Sequence, residues 1–280
     1  MNALKLINRG SSKLKKLQIL SHKLDSEIIL SKVLNKKREE ILINLNQKMS
    51  LETIRKFNLM INRRYAKEPM AYILKEKEFW SKNFKINNHT LIPRPETELM
   101  VEILSKIFKN TKIFILDIGT GSGCILISLL SELKDSKGIG VDISREALII
   151  AKENAKIQGI TDKIKFWNRN FVDIYNSKFD LVVSNPPYII KRDINNLADD
   201  IKHYEPKLAL DGGNDGLDVI KKVIYKTKNI LKVNGILALE IGNGQYNIVS
   251  KLLIKNNFKV EHKIKDYRNN IRCLISKLIR

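Results

Sequence analysis

From residue 93 to the end of the chain, short apolar runs alternate with longer segments in which apolar residues recur at helical spacing. The runs predict strands near residues 112–117, 138–142, 163–168, 179–184, 235–241, 257–262 and 271–277. The segments between them predict helices near residues 95–108, 123–134, 145–157, 215–231 and 244–255. Strands that alternate with helices predict an α/β fold, with a largely parallel sheet covered by helices on both faces.

The first 70 residues show helical spacing and little strand signal. A helix is predicted over Leu51–Arg64, because Ser50 before it is a favourable N-cap residue. Residues 71–92 contain short β-prone pieces and the turn-forming pair Asn87–Asn88, which together predict a hairpin. The predicted organisation is a helical domain over residues 1–70, a β-hairpin connector over 71–92 and a larger domain over 93–280.

The predicted strand 179–184 is followed directly by the tetrapeptide Asn185-Pro186-Pro187-Tyr188. Two consecutive prolines stiffen the turn at the carboxyl end of the strand, because they lack the N–H groups that a sheet needs. The Asn185 side-chain oxygen and the Pro186 carbonyl are both acceptors, and side by side they can hold both hydrogens of an NH2 group. The Tyr188 ring can cover the flat face of that group. The tetrapeptide predicts a clamp for an amide or amino nitrogen, although a plain strand-ending turn uses the same residue types.

The segment Asp117-Ile118-Gly119-Thr120-Gly121-Ser122-Gly123 joins a predicted strand to a predicted helix. A glycine loop in this position lets a ligand lie close to the backbone at a helix N-terminus. The next strand ends in Asp142, whose carboxylate can accept both hydroxyls of a ribose. A dinucleotide-binding loop is the alternative, but the spacing is GxGxG rather than GxGxxG, and Asp117 can face an ammonium group.

A pocket for a nucleoside joined to an amino acid, beside a clamp for an NH2 group, describes methyl transfer from S-adenosylmethionine to a nitrogen. The chain also resembles a known family, the release-factor glutamine N5-methyltransferases, or HemK/PrmC family. The resemblance extends over most of the chain and includes the segments EPMAYIL (68–74), EFW (78–80), LIPRPETE (91–98), DIGTGSG (117–123), VDIS (141–144), SNPPYI (184–189), YEPKLALDGGNDGL (204–217) and LEIGNGQ (239–245).

The resemblance implies a seven-stranded, Rossmann-like S-adenosylmethionine-dependent methyltransferase fold whose last strand is antiparallel. The implied substrate is the glutamine of the Gly-Gly-Gln motif in class I peptide chain release factors, with residues 1–70 as the domain that docks this protein. S-adenosyl-L-methionine is the implied cofactor, and no metal is expected. The enzyme is expected to be a cytoplasmic monomer with no membrane partner and no specific nucleic-acid partner.

The resemblance also assigns site residues. Asn185, Pro186 and Tyr188 are the expected catalytic residues, and together with Pro187 they are expected to bind the substrate. The residues expected to contact the cofactor are Gly119, Thr120, Gly121, Ser122, Gly123, Asp142, Phe171 and Asn185.

Five further positions depart from the family pattern or have two explanations. Phe171 stands where the family commonly has Trp, and it can still stack on adenine or simply pack in the core. Asn170 replaces an acid, and its side-chain oxygen can still accept from the adenine amino group. Arg268 replaces a Gly that the family usually has in a turn. Arg94 and Glu96 either shape the substrate entrance or form a structural salt bridge.

Composition changes this interpretation little. A hydrophobic content of 43% supports a core, and the apolar runs are too short to span a membrane. A net charge of +21 is compatible with a nucleic-acid partner. However, Lys, Ile and Asn are all abundant, and a genome rich in A and T gives the same bias. The two cysteines, Cys124 and Cys273, are expected to be reduced and buried.

Three alternative functions are compatible with the sequence. A glutamine methyltransferase acting on a ribosomal protein has the same site, although the PRPETE segment favours a release factor. An adenine-N6 nucleic-acid methyltransferase shares the clamp, but the chain has no large insertion that can serve as a target-recognition domain. A non-catalytic RNA-binding adaptor leaves the glycine loop, Asp142 and the clamp unexplained.

Overall fold

Residues 1–175 and 178–279 are described by the computed structural model, in which the chain forms two units. The first unit comprises residues 1–75 and 198–204, and the second comprises residues 76–197 and the chain from Glu205 onward. Within the described ranges, no helix combines the length and apolar character needed to cross a membrane.

The first unit is helical. Its helices are α1 (Ala3–Lys15), α2 (His22–Leu34), α3 (Arg38–Ile43), α4 (Leu51–Tyr65), α5 (Met70–Leu74) and α9 (Asp199–Tyr204). Helix α4 begins where the sequence predicts, because the Ser50 hydroxyl accepts a hydrogen bond from the Thr53 N–H at 3.1 Å. Phe57 and Ile61 on α4 are buried in the core of the bundle. Helix α9, which the sequence pattern did not reveal, joins this unit through a hydrogen bond of 2.6 Å from the Tyr204 hydroxyl to the Ala66 carbonyl.

A β-hairpin opens the second unit, with strands β1 (Glu76–Phe79) and β2 (Lys82–Lys85). The pair Asn87–Asn88, from which a hairpin was expected, lies beyond β2. Trp80 and Ser81 form the turn instead, with φ angles of 52° and 54°. Consecutive positive φ angles are typical of the tight turns whose twist matches a two-stranded ribbon, and Gly, Asn and Asp are their usual residues. The sequence therefore carried no signal at the actual turn.

Seven strands of the described ranges form the main sheet of this unit. They are β3 (Phe114–Ile118), β4 (Lys137–Asp142), β5 (Ile164–Asn168), β6 (Phe179–Ser184), β7 (Leu231–Glu240), β8 (Phe258–Lys265) and β9 (Ile271–Leu278). Their order is β5-β4-β3-β6-β7-β9-β8. Only the pairings that β9 makes, with β7 and β8, are antiparallel. The predicted α/β fold with an antiparallel last strand is confirmed.

Helices cover both faces of this sheet, and they are α6 (Pro95–Ile107), α7 (Cys124–Glu132), α8 (Arg145–Ile157), α10 (Asp218–Ile230) and α11 (Tyr246–Lys255). Successive strand residues belong to different cores: Ile115 packs with Leu126 of α7, whereas Leu116 packs with Val223 of α10. Burial on both faces explains why the strands read as continuous apolar runs rather than as alternating patterns.

Candidate active site

A cavity of about 520 Å³ lies at the carboxyl ends of β3, β4 and β6, within the second unit. Strands β4 and β6 flank β3, so the chain order reverses here, at the point where open α/β sheets bind ligands. The volume is in the range of small-molecule sites. The predicted site residues that line the cavity are Gly119, Thr120, Gly121, Ser122, Asp142, Phe171, Asn185, Pro186 and Pro187. Gly123 and Tyr188 lie outside the set of residues that form its wall.

Asp142 is held in the cavity wall by the backbone of two loops. Its Oδ2 accepts the N–H of Gly121 at 2.9 Å, and its Oδ1 accepts the N–H of Ser144 at 2.9 Å. Gly121 reaches this position with a φ of 54°, which favours glycine. Burial raises the pKa of Asp142, and the two backbone hydrogen bonds oppose that rise. A carboxylate has about four acceptor positions, so Asp142 keeps capacity for hydroxyl groups of a ligand.

Asp117 and Gly123 are the two ends of the glycine-loop segment, and neither belongs to the residues that line the cavity. Gly123 begins α7 with a φ of 81°, and a Cβ atom there would lie 2.8 Å from the Ile127 side chain. This position therefore requires glycine because of the backbone conformation and the packing around it. Asp117 accepts a hydrogen bond of 2.7 Å from the Thr120 hydroxyl, so it faces the loop rather than the cavity wall. Its Oδ1 is buried without a hydrogen-bond partner, and burial raises the pKa of Asp117 to about 7.

The buried Asp117 predicts a pH-dependent stability of the ligand-free protein. Its pKa in the folded state, about 7, lies above the ordinary value of 3.8. Between these two pH values the folded state holds a proton that the unfolded state has lost, so stability falls as the pH rises from 3.8 to about 7. We expect the free energy of unfolding to fall by on the order of 3 kcal/mol between pH 5 and pH 8.

Calorimetric melting between pH 5 and pH 8 tests this prediction. The Asp117→Asn variant cannot ionise, so its melting temperature is expected to fall less over this range than that of the parent protein. Asp162→Asn, at an exposed position, is the matched control. Parallel curves for Asp117→Asn and the parent protein would show that Asp117 does not titrate in this window.

Asn185 follows β6, whose last residue, Ser184, is fixed by donating to the Ile118 carbonyl of β3 at 2.9 Å. The Asn185 Nδ2 lies 3.5 Å from the Thr97 hydroxyl oxygen. That hydroxyl donates to Oε2 of Glu240 at 2.6 Å. Thr97 also lines the cavity, so a polar chain runs from the cavity wall at Asn185 and Thr97 to the buried Glu240.

Tyr188 is tied to the same carboxylate. Its hydroxyl donates to Oε1 of Glu240 at 3.3 Å and accepts from Nη2 of Arg272 at 3.1 Å. Burial and the charge of Glu240 raise the pKa of Tyr188 to about 12, so the phenol keeps its proton at neutral pH. Burial also raises the pKa of Glu240, against the effect of its hydrogen bond from Thr97 and of the Arg272 charge.

Gln245 fixes the backbone next to the Tyr188 ring. Its Nε2 donates to the carbonyls of Tyr188 and Gly216, at 3.1 Å each. A Cβ atom on Gly216 would lie 2.6 Å from the Tyr188 carbonyl oxygen, so only glycine fits this approach. The segments YEPKLALDGGNDGL and LEIGNGQ thus contact the backbone of the clamp.

Phe171 and Asn170 both line the cavity. Phe171 is half-buried and also packs against the core, so both of its expected roles are compatible with its position. The Asn170 oxygen accepts from the Val172 N–H at 3.2 Å. Cys124 also lines the cavity and is only half-buried, which corrects the expectation of a fully buried residue, whereas Cys273 is buried.

Arg94 forms the expected salt bridge and also lines the cavity, so a role at the substrate entrance stays a prediction. Its Nη2 lies 2.5 Å from Oε1 of Glu205, a buried carboxylate that also accepts from the Ile92 N–H at 3.2 Å. Glu96 lies in the first turn of α6, and its charge adds to the effect of burial in raising the pKa of Glu240.

Arg268 does not disturb the turn between β8 and β9. Asp266 accepts the N–H groups of Arg268 and Asn270 at 2.9 Å each. Asn269 supplies the left-handed residue, with a φ of 66°. Asparagine tolerates this conformation better than most residues, so the turn forms without a glycine.

Sequence reasoning did not assign a role to four residues that hold the clamp, and these are Thr97, Glu240, Gln245 and Arg272. Thr97, Glu240 and Gln245 lie within segments that carry the family resemblance. Glu240 is a carboxylate at the end of a buried strand, which is a signal for a functional or positioning group. Arg272 had no comparable signal.

Two family descriptions match the chain: the PrmC N-terminal domain over residues 5–74 and the methyltransferase small domain over residues 95–203. The release factor glutamine methyltransferase of Clostridium acetobutylicum is 36% identical over 256 residues, which cover 90% of each chain. The bifunctional methyltransferase of Rickettsia felis is 36% identical over 299 residues, which cover 96% of this chain and 57% of that protein. The chain thus spans little more than half the length of this bifunctional relative.

Among solved structures, the ribosomal protein L11 methylase of Lactobacillus delbrueckii subsp. bulgaricus is similar, with a TM-score of 0.51 and 20% sequence identity. The superposition covers 68% of this chain and 82% of that one. At this identity the similarity shows the fold, which is that of a methyltransferase domain.

Proposed function

Because the chain belongs to the release factor glutamine methyltransferase family, we propose that it transfers a methyl group from S-adenosylmethionine to the side-chain amide nitrogen of a glutamine. The proposed substrate is the glutamine of the Gly-Gly-Gln motif in class I peptide chain release factors. The observation that carries the proposal is a single cavity whose wall contains Asn185 and Pro186 as well as Gly121 and Asp142. A clamp for NH2 and a loop for a nucleoside therefore face one space.

The residues of the cavity fit S-adenosylmethionine. Asp142 has acceptor capacity for the ribose hydroxyls, Phe171 offers a ring for adenine, and the glycine loop lets the ligand lie close to the backbone. When bound, this cofactor supplies a methyl group on a positively charged sulfur. The cavity volume of about 520 Å³ leaves room for a glutamine side chain beside the cofactor.

The clamp addresses the poor nucleophilicity of an amide nitrogen, whose lone pair is delocalised into the carbonyl. Asn185 Oδ1 and the Pro186 carbonyl accept the two N–H hydrogens of the substrate, which enriches the nitrogen and stabilises the positive charge that develops there. The proton leaves to solvent after transfer. Tyr188 lies outside the cavity wall and is held by Glu240 and Arg272, so we assign it to support of the clamp. Most of the remaining advantage comes from positioning.

Parallel labelling identifies the substrate. S-adenosylmethionine with a labelled methyl group is incubated with the protein and, separately, with a release factor, ribosomal proteins and DNA. Label is expected in the release factor and not in a matched release factor whose Gly-Gly-Gln glutamine is replaced by alanine. Label in a ribosomal protein or in DNA, without label in the release factor, would overturn the proposal.

We further propose that the first unit docks the release factor. This unit carries exposed apolar side chains: Leu20 is 98% exposed, Ile43 is 86% exposed and Leu51 is 86% exposed. A glutamine side chain alone offers little area for recognition, whereas a protein interface buries about 1,600 Å². Burial of exposed apolar side chains in an interface removes apolar area from water and so favours association.

Replacing Leu20, Ile43 and Leu51 together by serine is expected to lower kcat/KM for an intact release factor by about tenfold, or about 1.4 kcal/mol. Activity on a short Gly-Gly-Gln peptide should be unchanged, because the peptide lacks the docking surface. The matched control replaces Ile149, Ile254 and Tyr267, which are exposed in the second unit. Equal losses on protein and peptide would contradict the docking role.

A further inference from the structure

We infer that Thr97 and Glu240 are positioning residues that determine which end of the Asn185 amide faces the substrate, and so make the clamp select glutamine over glutamate. This inference rests on the proposed function and adds a source of substrate specificity to it. The three residues lie far apart in sequence, on α6, after β6 and at the end of β7.

The direction of the hydrogen bonds follows from the donors available. An ionised carboxylate only accepts, so the single hydrogen of the Thr97 hydroxyl is directed to Glu240, at 2.6 Å. The Thr97 oxygen can then only accept a hydrogen bond from Asn185. Asn185 must therefore turn its NH2 to Thr97, at 3.5 Å, and its Oδ1 away from Thr97.

The second oxygen of Glu240, Oε1, holds the Tyr188 hydroxyl. It accepts from the Tyr188 hydroxyl at 3.3 Å, and Arg272 donates to that hydroxyl at 3.1 Å, so the phenol proton points to Glu240. Thr97 is 3% exposed and Glu240 is 1% exposed, which limits competition from water. Burial raises the pKa of this carboxylate, and the hydroxyl donor on each of its oxygens opposes that rise and favours the ionised form.

The orientation of Asn185 decides between two similar substrates. With Oδ1 presented, the clamp offers two acceptors, Oδ1 and the Pro186 carbonyl, which pair with an NH2 group and repel a carboxylate. A reversed amide offers NH2 and therefore accommodates a glutamate side chain. Sites that leave a buried polar group unpaired for the wrong ligand discriminate strongly.

Thr97→Val and Thr97→Ser are the variants that test this inference, since both preserve packing closely and only serine keeps the hydroxyl. We expect Thr97→Val to lower kcat for a Gly-Gly-Gln peptide about tenfold or more and to strengthen inhibition by the matching Gly-Gly-Glu peptide about tenfold. Thr97→Ser should stay within about threefold of the parent protein in both measurements. Melting temperature and S-adenosylmethionine affinity serve as controls for folding.

Glu240→Gln provides a second test that leaves Thr97 in place. The new carboxamide can donate to the Thr97 oxygen, which frees the Thr97 hydrogen for Asn185 Oδ1 and reverses the amide. The same loss of kcat and the same gain in inhibition by the Gly-Gly-Glu peptide are expected. Equal losses in Thr97→Val and Thr97→Ser, with unchanged peptide preference, would show a packing role and overturn the inference.

The side-chain amide of Asn185 reports its orientation without any substrate. In protein labelled with ¹⁵N-asparagine, the Asn185 NH2 resonances are expected to shift in Thr97→Val and to stay in place in Thr97→Ser. Unchanged resonances in Thr97→Val would overturn the inference, whatever the substrate is. Failure of the parent protein to methylate any Gly-Gly-Gln peptide or release factor would instead overturn the proposed function, and the resonances would still decide the orientation.

Discussion

Replacement of Asn185 by alanine is expected to reduce methyl transfer to a Gly-Gly-Gln peptide by about two to three orders of magnitude while S-adenosylmethionine still binds. The clamp loses one of the two acceptors proposed to stabilise charge on the substrate nitrogen, an effect of about 2.7–4 kcal/mol for a comparable group. The backbone turn itself should persist, because it is stiffened by Pro186 and Pro187 and held by Gln245.

Single-turnover transfer and cofactor affinity, measured separately, distinguish this effect from a loss of cofactor binding. Asn229→Ala, at an exposed position on α10, is the matched control and should behave as the parent protein. If Asn185→Ala retains the parent rate of transfer, Asn185 is not an acceptor for the reacting nitrogen.

The strands of the sheet were predictable because their residues are buried on both faces. Ile115 and Leu116 face different cores, so a continuous apolar run was the correct signal. The start of β7 at Leu231, four residues before the predicted strand, was not readable, since Lys232 and Asn234 interrupt the apolar pattern. Helix α9 was missed for a similar reason, because its sequence, DDIKHY, is short and polar.

Part of the cavity could be predicted from the sequence, because the glycine loop, Asp142 and Asn185 each follow a strand end, whereas the lining residues between 89 and 97 and between 206 and 222 do not. Loops after β3, β4 and β6 meet at one edge of a parallel sheet, so the glycine loop, Asp142 and Asn185 had to lie near one another. The polar chain behind Asn185 was not predictable. Thr97 and Asn185 are separated by 88 residues, and Thr97 and Glu240 by 143. No periodicity in the sequence indicates contacts between residues that are so far apart along the chain.

Asp142→Ala is expected to weaken S-adenosylmethionine binding by about 1.5–3 kcal/mol, the range for hydrogen bonds to a charged group. Part of this loss has a structural origin, since Asp142 also accepts the N–H groups of Gly121 and Ser144 and so fixes the glycine loop. Calorimetry with S-adenosylmethionine alone measures the sum of the two effects.

Adenosine and 2′-deoxyadenosine separate the ribose contact from the loop. The parent protein is expected to bind adenosine more tightly, by about tenfold, because Asp142 is proposed to accept the 2′-hydroxyl. In Asp142→Ala that preference should disappear. If the substitution only removes support from the glycine loop, the binding of both nucleosides weakens equally and the preference for adenosine stays. A preference that persists in Asp142→Ala would assign the ribose hydroxyls to another residue and leave Asp142 as a support for the glycine loop.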